Sequence, residues 1–206
     1  MLVMNLLSAG PRPVETVPIF PLATVLYPGM RLPLSIFEPR YMDMAKACIK
    51  HDSAFGVCLI REGEEVGTPA VPEPVGCLAR IAEWDMETLG VLKVKVEGLE
   101  RFRLLATKTT RAGLILGDIE RIAAEAPVQA PGLAQSADFV RKVVEAVGSS
   151  RFAQPYRYDD ASWVGFRLAE ILPLRNIVKQ KLLELTDPGA RLAILHRFLL
   201  ERKLLG

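Results

Sequence analysis

Cysteine is scarce in this chain: Cys48, Cys58 and Cys77 are the only three, and no two of them have C-x-x-C spacing. An odd, scattered set argues against a disulfide framework or a thiolate metal site. It fits small buried thiols in a reducing compartment. Histidine is scarcer still. His51 and His196 lie far apart, and surface or packing roles are expected for both, because a site needs convergent groups. No G-x-x-x-x-G-K-[ST] run is present to cradle a phosphate, and no G-x-S-x-G elbow to present a serine nucleophile. The carboxylate pairs Glu64-Glu65 and Asp159-Asp160 fall in expected loops and read as solvated features. No catalytic residue, metal or cofactor is therefore expected. No apolar run reaches the ~18 residues that suggest a membrane span. The short apolar opening MLVMNLLSAG has no basic segment before it, so it reads as a loose or docked arm rather than a signal peptide. A cytoplasmic protein without membrane contact is the expectation.

Charge of one sign is also lacking. The formal net charge is +2, too small to argue for nucleic acid by itself. From Ala126 onward there are 12 Lys/Arg against 8 Asp/Glu, and before it 14 against 16. The second part is mildly basic, usually the mark of a solvated face. What the chain does have is apolar content, 50% of its residues, with 24% charged. That is a globular composition with material for a real core.

Proline is not scarce, and it is placed unevenly. Pro18, Pro21, Pro28, Pro33 and Pro39 crowd one short span. Proline lacks the N–H that a strand ladder needs, which excludes a flat central sheet there and suits a strongly bent barrel. Residues 17–20 and 24–27 read as short extended runs broken by Pro21, with a turn at Tyr27-Pro28-Gly29. Residues 32–37 read as a strand that switches into a helix. Glu38 stands at the N-cap, Pro39 at the first helical position, and Tyr41, Met44, Ala45, Cys48 and Ile49 follow at helical spacing. Glu38, Arg40 and Tyr41 are either a recognition patch or a cap with a local ion pair. FGVCLI (residues 55–60) is a compact strand, and residues 61–74 an exposed loop. VGCLARIAEW and LGVLKVKVEG read as a long hairpin joined across residues 85–88. Gly98 breaks its second strand before RFRLLA resumes, with Phe102 inward and Arg101 and Arg103 outward by alternation. LILGDIERI supplies one more strand. Many short strands with turns between them suggest a closed or nearly closed antiparallel barrel.

At AEAPVQAPG (residues 124–132) the apolar period changes from two to 3.6, and a domain boundary is placed there. Phe139, Val140, Val143, Val144 and Val147 form the stripe of a first helix. A second follows Ser162 with Trp163, Phe166 and Ile171 inward, and a third carries Ile177, Val178, Leu182 and Leu185. Asp187-Pro188 announces the last, which buries Leu192, Leu195, Phe198 and Leu199. The division is a β-domain over residues 1–125 and a helical domain over residues 126–206. SSRFAQPYRYDD (residues 149–160) sets Phe152, Tyr156 and Tyr158 beside Arg151 and Arg157 between helices. Tyr and Arg are enriched in binding hot spots, so this segment is either a contact loop or a lid tucked under the bundle.

Several of these stretches carry a resemblance. VPIFPLATVLYPGMRLPLSIFEPRYMDM, FGVCLI, VGCLARI, VKVEGLERFRL and LAEILPLRNIVKQKLLELTDPGARLAILHRFLLER together resemble the Lon N-terminal domain family. That family comprises the substrate-binding region of ATP-dependent Lon proteases, cereblon-type proteins and stand-alone bacterial chains. The resemblance implies an α+β fold, a PUA-like antiparallel β pseudo-barrel followed by a C-terminal helical bundle. The ATPase and Ser-Lys protease parts of Lon have no counterpart in these residues. The implied role is therefore non-enzymatic binding of unfolded polypeptide or a partner protein. The expected contacts are Phe152, Tyr156, Tyr158, Arg151 and Arg157, then Tyr27 and Met30. An RNA-binding role, drawn from the PUA-like barrel and the basic tail, is the alternative.

Overall fold

A computed structural model describes residues 14–88, 90–148 and 152–205. The N-terminal arm and Arg151 lie outside the described residues. The chain forms β1 (Glu15–Leu22), β2 (Arg31–Ile36), α1 (Pro39–His51), β3 (Phe55–Glu62), β4 (Val71–Pro72), β5 (Val75–Thr88), β6 (Val91–Thr109) and β7 (Ile115–Arg121). Four helices follow: α2 (Leu133–Val147), α3 (Ala161–Ile171), α4 (Asn176–Glu184) and α5 (Pro188–Glu201).

The strands pair in the order β1-β7-β6-β5-β3, and β3 pairs back to β1, so the sheet closes into a barrel. All of these pairs are antiparallel except β1 with β3. That parallel exception follows from the connection: β2 and α1 intervene between the two strands.

The prolines sit where the barrel tolerates them. Pro18 is on β1 before its pairing with β3 begins at Ile19, and Pro21 lies after its pairing with β7 ends at Ile19. β2 pairs only with β6, which accommodates Pro33. Each proline thus occupies a position with a strand neighbour on one side, where a missing N–H costs no ladder bond. Pro21 therefore does not break β1, contrary to the sequence reading. Residues 24–27 form no strand; they are a buried connection carrying Val25, Leu26 and Tyr27.

Three further expectations need correction. β5 and β6 pair as far as Thr88 with Val91, so the hairpin reverses beyond residues 85–88. Part of the supposed loop 61–74 is strand, since β3 reaches Glu62 and β4 pairs with it, with Ala70 and Pro72 buried. Gly98 does not interrupt β6. It is the point of closest approach, because a Cβ there would lie 2.1 Å from the Tyr27 carbonyl oxygen. The Gly98 N–H donates to Met30 O at 2.9 Å, and its carbonyl accepts from Gly29 N at 2.7 Å. Only glycine lets the two backbones meet.

α1 begins as expected, with Pro39 in its first turn after Glu38. Glu38 caps with its carbonyl, which accepts from the Tyr41 and Met42 amides. Its carboxylate pairs with the buried Arg40 at 2.8 Å, and Arg40 also donates to Gly113 O. Tyr41 is buried and stacks on Phe20 at 4.1 Å. Cap, ion pair and stack account for all three residues structurally. The helix seals one end of the barrel over Leu26, Ile36, Phe55 and Leu92. The helical core is continuous with the outside of the barrel, including Val25, Tyr27, Leu59 and Val75 among its members.

Candidate binding cleft between barrel and bundle

The seam between barrel and helices is built from buried arginines. β6 carries a bulge: Ala79 pairs with Gly98 but Cys77 pairs with Arg101, so three steps on β6 oppose two on β5. The extra residue re-aims the strand. Phe102 then points into the barrel core and Arg101 out of it, as alternation requires, while Arg103 stays exposed. The outside at Arg101 is covered by the bundle. Arg101 therefore faces outward, as alternation predicts, yet is buried because the helices cover it.

Its guanidinium donates to Leu183 O at 2.7 Å, to Leu185 O at 2.8 Å and to Glu125 Oε1 at 2.6 Å. From α5, the buried Arg191 donates to both oxygens of the same carboxylate, Nη1 to Oε2 at 2.9 Å and Nη2 to Oε1 at 2.5 Å, and to Leu182 O. Ser162 Oγ donates to Glu125 as well. Burial works against the Glu125 charge, but the hydrogen bonds from Arg191 and Ser162, with the charges of Arg191 and Arg101, outweigh it. They hold the carboxyl below its ordinary range. Both guanidinium groups also pack on the Phe166 ring, Arg191 at 3.9 Å and Arg101 at 5.5 Å from its centre.

A third buried arginine, Arg167 of α3, donates to the Gly29 and Pro28 carbonyls at 2.6 and 2.9 Å and pairs with Glu170 at 3.1 Å. Tyr27 Oη donates to Lys179 O at 2.9 Å, and Gln180 Nε2 to Val75 O at 2.9 Å. These contacts tie the 23–30 connection and β5 to the bundle.

Over this seam lies a cleft of about 360 Å³. It is lined by the bulged stretch 97–101, by Ile122 and Phe166, and by Pro155, Arg157 and Trp163. The residues expected to make contact are distributed unevenly about it. Arg157 is exposed and lines the cleft. Tyr156 and Tyr158 are half-buried and packed on Trp163, at 6.0 and 5.2 Å between ring centres, with Arg141 4.6 Å over Tyr158. Met30 and Phe152 meet in an isolated β-bridge beside the cleft. Contact at Tyr27 and Phe152 requires side chains at the surface, whereas both are buried in the bundle core.

Leu99, Ile122, Trp163 and the Arg101–Glu125 pair carry no sequence signal for this site. The bulge that assembles them is set by long-range pairing. Asp160, read as a solvated carboxylate, is buried and caps α3 by accepting from the Ser162 amide at 2.9 Å. His196 sits against Ser136 at 3.1 Å as a packing contact. All three cysteines are buried and free. Among the described residues no group of three His, Cys, Asp or Glu side chains could hold a metal, and no helix is long and apolar enough to cross a membrane.

The family model for the substrate-binding domain of ATP-dependent protease La (Lon) matches residues 16–201. The chain belongs to this family. A crystal structure of a Lon N-terminal domain protein from Xanthomonas campestris is similar to it, with a TM-score of 0.73 and 33% identity over 88% of this chain and 96% of that one. The N-terminal domain of a Mycobacterium avium complex Lon protease shares the fold, with a TM-score of 0.61 at 18% identity. Among longer proteins, Lon protease 1 of Hydrogenovibrio crunogenus is 30% identical over 53% of this chain and 13% of its own length. Protein cereblon of Danio rerio is 32% identical over 49% of this chain and 24% of its own length. The chain thus matches a minor part of both longer relatives. The α+β architecture of barrel and bundle is that of the Lon N-terminal fold.

Proposed function

We propose that this Lon-type domain binds non-native polypeptide segments, and that the cleft between barrel and bundle is where it does so. The observation that carries the reading is the cleft itself. Leu99, Ile122, Trp163 and Phe166 in its lining suit an apolar side chain, and Arg157, Glu97 and Glu100 suit backbone and polar groups. The lining mixes these apolar side chains with convergent charged ones, Arg101 and Glu125 among them, and convergent polar groups are what fix a ligand's orientation. The family description, a substrate-binding domain, supports polypeptide as the ligand class. With no nucleophile–base pair recognised at the cleft, binding without turnover is the chemistry proposed. Trp163 lines the cleft, and Tyr156 and Tyr158 pack on its ring rather than reaching into the cleft themselves.

The test is titration with a permanently unfolded probe, a reduced and carboxymethylated protein, followed by fluorescence anisotropy. Affinity of about 1–100 μM is expected. Arg157→Glu and Leu99→Asn should each weaken it at least about fivefold; the melting temperature should be little changed in Arg157→Glu, whose side chain is exposed, and lowered in Leu99→Asn, whose side chain also packs on the core. Binding should survive moderate salt. A steep salt-dependent affinity for an RNA oligonucleotide, with no binding of the unfolded probe, would transfer the case to nucleic acid.

A further inference from the structure

The outer edge of β2 has no strand partner among the described residues. β2 pairs with β6 alone, and past Ile19 the end of β1 pairs with β3 alone. The direction of the free backbone groups follows from one bond. Gly98 N–H donating to Met30 O makes Arg31 and Glu97 a pair whose own amides point away from each other. Alternation then gives the same orientation to Pro33 opposite Lys95 and to Ser35 opposite Lys93. The carbonyls of Pro33 and Ser35 and the amide of Ser35 therefore face outward. Pro33 supplies no donor there, which disfavours pairing with a second copy of the same edge.

Beside this edge a cavity of about 190 Å³ opens between β2 and the end of β1, with Phe20, Leu22, Ile36 and Tyr41 inside it and Phe37 and Val66 at the rim. Phe37 is 54% and Val66 55% exposed, large apolar groups left in water at the mouth of an apolar cavity. Through Glu65 and Val66 the cavity continues into a second groove lined by Glu62, Glu64, Glu65 and Glu73 with Arg61, while Lys181 stands near Glu73.

We propose that this slit takes an extended polypeptide segment as an added strand on β2. Its apolar side chain enters the cavity, and basic residues following it lie along the acidic groove. Backbone groups give such a mode its affinity and the alternating pocket its selectivity. The proposal deepens the polypeptide-binding reading but uses a different face, so the two can fail separately.

The probe is a fluorescein-labelled nonapeptide of alternating Leu and Thr ending in Lys-Lys-Arg, together with two N-methylated versions, each methylated at alternate amides in one of the two frames. Strand addition predicts that one frame loses at least about tenfold in affinity while the other is nearly unchanged, because only one set of amides faces β2. Glu64→Lys should weaken the basic peptide and favour one ending in Glu-Glu-Asp. Ser35→Pro should reproduce the loss from the protein side, and the peptide series stands even where that variant fails to fold. Equal effects of both frames, or no effect of either, would overturn the proposal. So would peptide binding that is lost in Leu99→Asn and unaffected in Glu64→Lys, a result that leaves the cleft reading intact. Binding that shows the single-frame pattern but survives Leu99→Asn and Arg157→Glu supports the slit and counts against the cleft.

Discussion

Replacing Glu125 with Gln removes one negative charge and leaves the side chain's shape. The carboxylate has a side chain only 7% exposed and accepts from Arg101, Arg191 and Ser162. Solvent screening therefore gives little relief. Gln keeps one oxygen acceptor but turns the other position into a donor facing a guanidinium. Two buried cations lose their shared counter-charge, and breaking such a buried pair costs about 3–5 kcal/mol. For a chain of this size each kcal/mol shifts the midpoint by about 2–4 °C, so thermal denaturation followed by circular dichroism should show a fall of about 6–20 °C. The pH dependence supplies a second signature. The Glu125 carboxyl is held below its ordinary value of 4.5, so its contribution is present above that value and lost as pH falls through the lower folded-state value. The gap between wild type and variant should be full at pH 7 and shrink once the pH drops below about 4.5. A midpoint within 1 °C of wild type at pH 7 would refute the view that Glu125 holds barrel and bundle together.

Other expectations follow from single contacts. Gly98→Ala places a Cβ 2.1 Å from the Tyr27 carbonyl oxygen; urea denaturation should show a loss of more than about 2 kcal/mol, or failure to fold. Asp187 caps α5 by accepting from the Ala190 amide at 3.1 Å, so Asp187→Ala should cost about 1 kcal/mol in the same assay. Burial pushes the Cys58 and Cys77 thiols far above their ordinary value. Neither should react with iodoacetamide at pH 8 in the native protein, and both should label in denaturant, as read by mass spectrometry.

Helix starts were legible because they are local. Pro39 after Glu38 and Pro188 after Asp187 mark first turns by their own chemistry, and the structure begins α1 and α5 there. Strand identity was legible wherever apolar residues alternate, as at Leu92, Val94 and Val96, all buried. What alternation cannot report is what covers the far side of a strand. Arg101 reads as outward, which it is, but its burial under the bundle does not show in the pattern, and the bulge opposite Cys77 depends on pairing with a distant strand. Tyr27 shows the same limit. Its place beside a Pro-Gly turn suggests a surface, yet its hydroxyl finds a partner 152 residues away at Lys179 O. The candidate cleft gathers residues from β6, the connection after β7, the 152–160 segment and α3. Such a site is set by tertiary contact, and only its Tyr- and Arg-rich segment announces itself in the sequence.

The most direct test of polypeptide binding at the barrel–bundle cleft is hydrogen–deuterium exchange of the whole chain, with and without a saturating unfolded polypeptide. The account predicts slowed exchange in residues 97–101, 122–125 and 152–163, the stretches that line the cleft. Unchanged exchange in all three at a ligand concentration that saturates binding would contradict it.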